Sequence, residues 1–193
     1  MRALLRQLVP ALPVLALFTV VCGVVYPLAV GGIGRVAFAD KADGSIVKVN
    51  GEAVGSSLIG QNFAAPRYFH PRPSAAGAGY DGLSSSGSNL GPNNPDLLKA
   101  VADRIAAYRT ENGLDGQVPV PVAAVPSSGS GLDPGISVAN ARLQGPRVAK
   151  ERGATLDVVL TAIDAHTDRR PLGILGDPSV NVLELNVALD RLG

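Results

Sequence analysis

The chain opens with a block from which charge disappears. Between Arg6 and Arg35 lie 28 uncharged positions, "QLVPALPVLALFTVVCGVVYPLAVGGIG". At ~1.5 Å per residue such a helix is about 42 Å long, more than the ~30 Å hydrocarbon core of a bilayer. The pattern predicts a membrane helix over residues 12–34, with 1–11 before it and a soluble part over 40–193. Pro10 and Pro13 fall near the expected helix start. Pro27 predicts a kink and a freed carbonyl that neighbouring helices would satisfy. "AFAD" at 37–40 resembles a cleavage site, but the apolar run is far longer than the ~7–15 residues of a secretory signal. "TVV" before Cys22 is a poor lipobox, so the expectation is an uncleaved anchor.

Beyond residue 40 the periods shorten. Ile46, Val47 and Val49, then Asn50-Gly51, then Ala53 and Val54 predict a hairpin with a type I′ turn. From Ser56 to Pro95 no period holds. Gly, Ser, Asn and Pro dominate around an aromatic-basic knot, "APRYFHPRPSA". Tyr68, Phe69 and Tyr80 are anchors that predict an ordered loop. A helix then follows with clear punctuation. Asn94 caps it, Pro95 fits its first position, Asp96 suits the dipole, and Gly113 ends it. Leu97, Val101, Ile105 and Tyr108 share one face. "GLDGQVPVPVAAVPSS" reads as an extended connection, fit only for an edge strand.

Ser137 is expected to cap a short helix to about Leu143, broken by Gly145-Pro146, with a further turn to Arg152 and Gly153. Thr155 opens another helix, with Leu156, Val159, Leu160 and Ile163 inward. "LGILG" reads as a strand or turn. Asn181 caps a last helix, although the alternation Leu183, Leu185, Val187, Leu189 also permits a strand. The fold class predicted is α+β: one N-terminal transmembrane helix followed by a single compact soluble domain.

Composition narrows the function. Net charge is +1, so no field draws nucleic acid. Aromatics are 4% and Trp is absent, so Ala, Val, Leu and Ile must build the core. The single cysteine, Cys22, excludes an internal disulfide and a Cys-based zinc site. Arg2, Arg6 and the α-amine precede the span, whereas Arg35 and Lys41 after it are offset by Asp40 and Asp43. Lys/Arg excess marks the cytoplasmic side, so 40–193 is expected outside a bacterial inner membrane.

Two short turns repeat. "SGSNLGP" runs from Ser86 to Pro92 and "SGSGLDP" from Ser128 to Pro134, each just before a helix start. Their backbone N–H groups and hydroxyls could hold an anion or a polar partner. Plain turn chemistry is the competing explanation. Ser86, Ser88, Asn89, Asn93, Ser128, Ser130 and Asp133 are the candidate contact residues. Gln144 and Arg147 in "QGPR" join them, since a guanidinium can grip a carboxylate or phosphate, or form a structural ion pair. No Gly-Lys-Ser/Thr follows either turn, so neither is a P-loop. The G-x-S-x-G elbow is missing and His166 reads as a helix-end residue, which argues against a serine hydrolase. His70, between Phe69 and Pro71, reads as packing or surface, and two lone histidines make no metal site.

"GSSLIGQNFAAPRYFHPRPSA", "SGSNLGPNNP", "SGSGLDPGIS", "QGPRVAKERG" and "LGILGDPSVNVLELNVALD" occur in the order expected of the KdpC family. With the N-terminal span, the resemblance covers nearly the whole chain. KdpC is the C subunit of the bacterial Kdp potassium-transporting ATPase. The resemblance implies a non-catalytic accessory subunit of a high-affinity, ATP-driven K⁺ uptake complex. Its implied partners are a channel-like potassium-translocating subunit and a P-type ATPase subunit. It implies no firmly bound cofactor: K⁺ is carried by the channel-like partner. Family descriptions make it a catalytic chaperone raising the ATP affinity of the pump subunit, with ATP in a ternary complex. An outer domain could do so only through membrane segments, because ATP is cytoplasmic. Ser86, Ala123, Pro126 and Gly135 depart from the family pattern. The alternative is an anchored outer-face binding or sensor module unrelated to transport.

Overall fold

The computed structural model describes residues 2–192; the side chains of 2–5 and 171 fall outside that description. Two compact units divide the chain, residues 1–46 and 47–193.

The first unit is a helix in two parts. α1 (Arg2–Val20) and α2 (Tyr26–Ala37) are joined by a π turn at Val21–Val25. The stretch Arg6–Ala37, 32 residues, is long and apolar enough to cross a membrane. The helix starts earlier than the prolines suggest, with Pro10 and Pro13 inside it. The carbonyls they free, on Arg6 and Val9, lie in the first turns, so little helix is lost. Pro27 produces a π turn where a plain kink is expected. Its ring would press on the carbonyl of Gly23, four residues back. Widening the preceding turn relieves that clash: the Tyr26 N–H reaches five residues back to the Val21 carbonyl. Phe38 (φ −143°) ends α2, and one short turn, α3 (Ala39–Ala42), follows.

The second unit begins with the expected hairpin. β1 (Ile46–Val49) pairs with β2 (Glu52–Ser56). Asn50 (φ 52°) and Gly51 (φ 86°) are both left-handed, as a type I′ turn demands. A long irregular loop follows, then α4 (Pro95–Asn112). The Asn94 side chain accepts from the Asp96 N–H and Gly113 is left-handed, so both ends sit where the sequence puts them. The extended connection after α4 forms no strand; it carries one 3₁₀ turn at Val122–Ala124.

Three short strands, β3 (Gly135–Ser137), β4 (Thr167–Asp168) and β5 (Ser179–Asn181), form an antiparallel sheet in the order β3-β5-β4. Val180 faces Ile136 on one side and Thr167 on the other. Between these strands lie α5 (Val138–Arg152) and α6 (Leu156–Ala165), and α7 (Val182–Asp190) closes the chain. Asn181 accepts from the Glu184 N–H, which settles helix over strand for the last segment. "LGILG" is a turn, not a strand.

α5 is one helix, not two. It runs straight through Gly145-Pro146, against expectation. Pro146 and Arg142, whose carbonyl loses its donor, are both exposed, so water replaces the missing bond. Gly145 is buried against α6. A Cβ there would stand 3.6 Å from Leu156 and 3.9 Å from Leu160 and Ile163, which is ordinary contact. Gly145→Ala is therefore expected to be neutral or to stabilise by up to ~1 kcal/mol, since alanine is the better helix former. Gly145→Leu should cost about 1–3 kcal/mol by forcing the helices apart. Chemical unfolding of the two variants checks this pair.

The core is aliphatic, as composition requires. Ile136 and Val180 from the sheet meet Ala141 and Val148 of α5, Val159 and Ile163 of α6, and Val182, Leu185 and Leu189 of α7. Phe69 is the one aromatic fully buried there, and it comes from the irregular loop. Burying such a ring contributes about 1.5–3 kcal/mol, enough to hold the loop against the helices.

Candidate functional site

The two repeated turns lie against each other. The Ser86 N–H donates to the Ser130 carbonyl (2.9 Å), and the Ser85 hydroxyl donates to the same oxygen (2.9 Å). Gly131 (φ 69°) fits a space that admits no side chain. A Cβ there would stand 2.6 Å from the Ser86 carbonyl oxygen and 2.7 Å from the Ala76 nitrogen. A Cβ on Gly87 would stand 3.0 Å from the Gly129 carbonyl oxygen, tight but less so than at Gly131. The second turn thus needs glycine at 131 for backbone approach as well as for turning, and the first keeps a tight approach at Gly87.

Ser74 joins the pair to the aromatic-basic knot. Its hydroxyl donates to the Gly131 carbonyl (2.6 Å) and accepts from the N–H groups of Ala76 (3.1 Å) and Tyr80 (2.8 Å). The Ser128 N–H donates to the Pro73 carbonyl (3.3 Å). Arg72 pairs with Asp133 at 2.9 Å, and Asp133 also accepts from the Gly135 N–H. The Tyr80 hydroxyl donates to the Arg72 carbonyl (2.6 Å), and burial pushes its ionisation up to about 12.

The candidate residues divide. Ser88, Asn89, Asn93 and Ser130 are exposed; Ser86 and Asp133 are half-buried; Ser128 is buried. Asn89 is left-handed (φ 53°), a conformation asparagine tolerates. The Ser130 hydroxyl accepts from the Leu132 N–H, closing its own turn. The surface left to solvent is polar and carries no charge at Ser88, Asn89 or Ser130.

Gln144 and Arg147 are not part of that surface. Both are buried, and both serve the loop from beneath. Gln144 accepts from the His70 N–H (2.8 Å) and donates to the His70 carbonyl (3.0 Å). Arg147 donates to Asn112 (3.0 Å), to Gln144 (2.9 Å), and to the carbonyls of Pro66 and Tyr68. Burial lowers the guanidinium's pKa, and the Glu111 carboxylate 3.9 Å away opposes that shift. The guanidinium grips main-chain oxygens, which is the structural alternative to holding a phosphate.

Sequence reading missed the rest of this lock. Asn186 treats Phe69 as Gln144 treats His70: it accepts from the N–H (2.8 Å) and donates to the carbonyl (3.0 Å). Arg152 donates to the Arg67 carbonyl (2.8 Å) and to Asp190 (2.9 Å), and its guanidinium lies 5.3 Å from the Tyr68 ring centre. Asn140 accepts from the Tyr108 hydroxyl (2.7 Å) and from Gln144 (3.0 Å). Burial raises the Tyr108 ionisation. One signal was available: Asn186 interrupts the apolar face of "VLELNVAL", where a polar side chain must find a buried partner.

His70 faces acceptors on both ring nitrogens, Glu111 at 2.6 Å and the Ala65 carbonyl at 3.2 Å. The bond from His70 holds the Glu111 carboxyl below its ordinary 4.5, with partial burial opposing and Arg147 assisting. A lowered carboxyl pKa stabilises the fold above the unfolded value and loses that contribution as pH falls through the folded value. Glu111→Gln should therefore flatten the acid limb of the stability profile below pH 4.5. Unfolding midpoints measured against pH check this. His166 lies at the end of α6 with Nδ1 on the Ala162 carbonyl (2.9 Å).

The model of the family described as "KdpC: K+-transporting ATPase, c chain" matches residues 8–191. A "Potassium-transporting ATPase KdpC subunit" of Mycobacterium tuberculosis (strain ATCC 25618 / H37Rv) is 58% identical over 187 residues, covering 97% of this chain and 99% of the relative. The protein of the same description from Caulobacter vibrioides (strain NA1000 / CB15N) is 53% identical over 188 residues, covering 97% and 94%. Blocks quoted from the sequence thus map onto a locked loop, a turn pair and the capped helices, and the match runs through all of them. The chain belongs to the KdpC family, the c chain of the K⁺-transporting ATPase, an accessory chain of that complex and not its catalytic one.

Proposed function

We propose that this chain works from the outer face of the membrane, with its paired Ser-Gly turns docked on the channel-like subunit of a Kdp complex. It raises the ATP affinity of the P-type subunit through the membrane segments and does not touch ATP. The observation that carries the reading is the turn pair itself. Ser130 is presented on backbone held by the Ser74 and Ser85 hydroxyls, and Ser88 and Asn89 follow Ser86, whose N–H is bound to the Ser130 carbonyl. An uncharged polar surface does not repel an incoming K⁺. The charge bias of Arg2 and Arg6 before the span supports the orientation. Arg147 supports the absence of direct nucleotide contact, because its guanidinium is occupied by protein oxygens.

Coupling through membrane helices has a typical size of ~1–3 kcal/mol, or roughly 5–150-fold in affinity. The test is K⁺-stimulated ATPase activity of the complex against ATP concentration, with and without this chain. The reading expects a lower apparent affinity for ATP without it. It also expects no saturable binding of nucleotide to the purified chain alone. Equal curves would remove the accessory role; nucleotide binding lost on Ser130→Ala would make the contact direct.

A further inference from the structure

The loop between β4 and β5 has a tip that stands open to solvent among the described residues. Thr167 and Asp168 pair with Val180 and Ser179, so residues 169–178 cross between two antiparallel strands. Arg170 and Asp177 close the base of this loop at 2.8 Å. At its tip Leu172 is 88% exposed, Ile174 77% and Leu175 53%. Leu172 is also left-handed (φ 55°), a conformation that bulky side chains rarely adopt. The chain therefore bears two costs at one residue, strained backbone and hydrated aliphatic surface, and gains no internal packing for either.

We propose that this tip inserts into the lipid–water interface of the membrane that the N-terminal helix spans. Three considerations favour lipid over a protein partner. First, only nine residues, 38–46, separate the apolar helix ending at Ala37 from the compact unit beginning at Val47. Fully extended they reach about 30 Å, so the second unit is permanently confined near a bilayer surface. Second, three aliphatic side chains offer only on the order of a few hundred Å² of apolar surface. A stable protein interface needs about 1,000 Å² or more, whereas a tethered wedge need only add to an anchor already in place. Third, Arg169 precedes the tip, and a guanidinium on a flexible stem suits the phosphate layer above an inserted aliphatic side chain. Asp177 is paired with Arg170 and Asp168 lies next to Arg169 in the chain, so the basic charge is offset and the wedge does not depend on anionic lipid.

The experiment uses the full chain, with Cys22→Ser removing the only cysteine. Ile174→Cys carries an environment-sensitive fluorophore, and the protein is reconstituted alone in vesicles of phosphatidylcholine with phosphatidylglycerol. Leu172→Cys repeats the measurement, and Ala102→Cys on exposed α4 is the reference. All three are surface positions, where substitution rarely disturbs folding. The expected result is blue-shifted emission at 174 and 172, quenched several-fold by lipids carrying a quencher near the head of the acyl chain. The reference should stay unquenched. Water-like emission at both tip positions would overturn the proposal. Shielding that arises only when the other Kdp subunits are present would overturn it too, in favour of a protein contact. Neither result depends on ATPase activity or on the role of the Ser-Gly turns.

Discussion

Replacing Arg147 with alanine is expected to destabilise the soluble domain by about 3–5 kcal/mol, a large part of the total stability of a domain this size. The guanidinium donates to two side-chain amides and two main-chain carbonyls, in a site where it is almost fully covered. Removal strands those acceptors away from water and leaves Glu111 without its nearest buried cation. Arg147→Lys should recover only part of the loss, because one ammonium cannot span a fork of acceptors on both sides of the helix. Urea unfolding of the purified chain in detergent, followed by circular dichroism, gives both numbers. A loss below ~1 kcal/mol for Arg147→Ala would mean that the loop 66–70 is held by Phe69, Gln144 and Asn186 without it.

Gly131→Ala carries the second large effect, and it separates fold from function. The new methyl would meet main-chain atoms at 2.6 and 2.7 Å, on a backbone with φ of 69°. Main chain cannot swing aside as a long side chain can, so the two turns must part. A cost of about 2–4 kcal/mol is expected from the combined clash and strain. Gly129→Ala, two residues earlier, meets nothing within 4 Å and should cost under ~1 kcal/mol. Co-purification with the partner subunits should fall for Gly131→Ala and persist for Gly129→Ala. Equal assembly in both would show that the turn pair is a folding device and not a docking surface.

Elements with local punctuation were legible in the sequence. Asn50-Gly51 demanded its hairpin, and Asn94, Pro95 and Gly113 bounded their helix, because caps and left-handed turns are decided within a few residues. Asn181 settled a segment whose hydrophobic alternation pointed both ways. Pro146 misled, because its penalty depends on whether the freed carbonyl of Arg142 meets water, which is a tertiary fact. Pro27 gave a π turn where a kink is the usual expectation, since the sequence fixes the clash and not how the helix relieves it.

The candidate site was legible in part. Repetition of the two Ser-Gly blocks suggested a pair, and the structure brings Ser86 and Ser130 into direct contact. Arg147 and Gln144 were visible as polar residues of interest, but the sequence could not say that they point inward. What holds the loop is a set of side-chain amides and guanidiniums bonded to main chain 74 to 117 residues away, as Gln144 is to His70 and Asn186 to Phe69. No local pattern encodes such separations; only burial of the whole apolar face around them does.

The central claim is that the paired turns meet the channel-like subunit on the outer side of the membrane. A photo-crosslinking residue at Ser88, in the assembled and transport-active complex, tests it most directly. Ser88 is exposed and lies two residues from Ser86, which is bound to the Ser130 carbonyl, so a short probe there reports the surroundings of the turn pair. The account predicts a crosslink to the channel-like subunit, formed equally with and without ATP. A crosslink to the nucleotide-binding part of the P-type subunit would contradict both the orientation and the docking face.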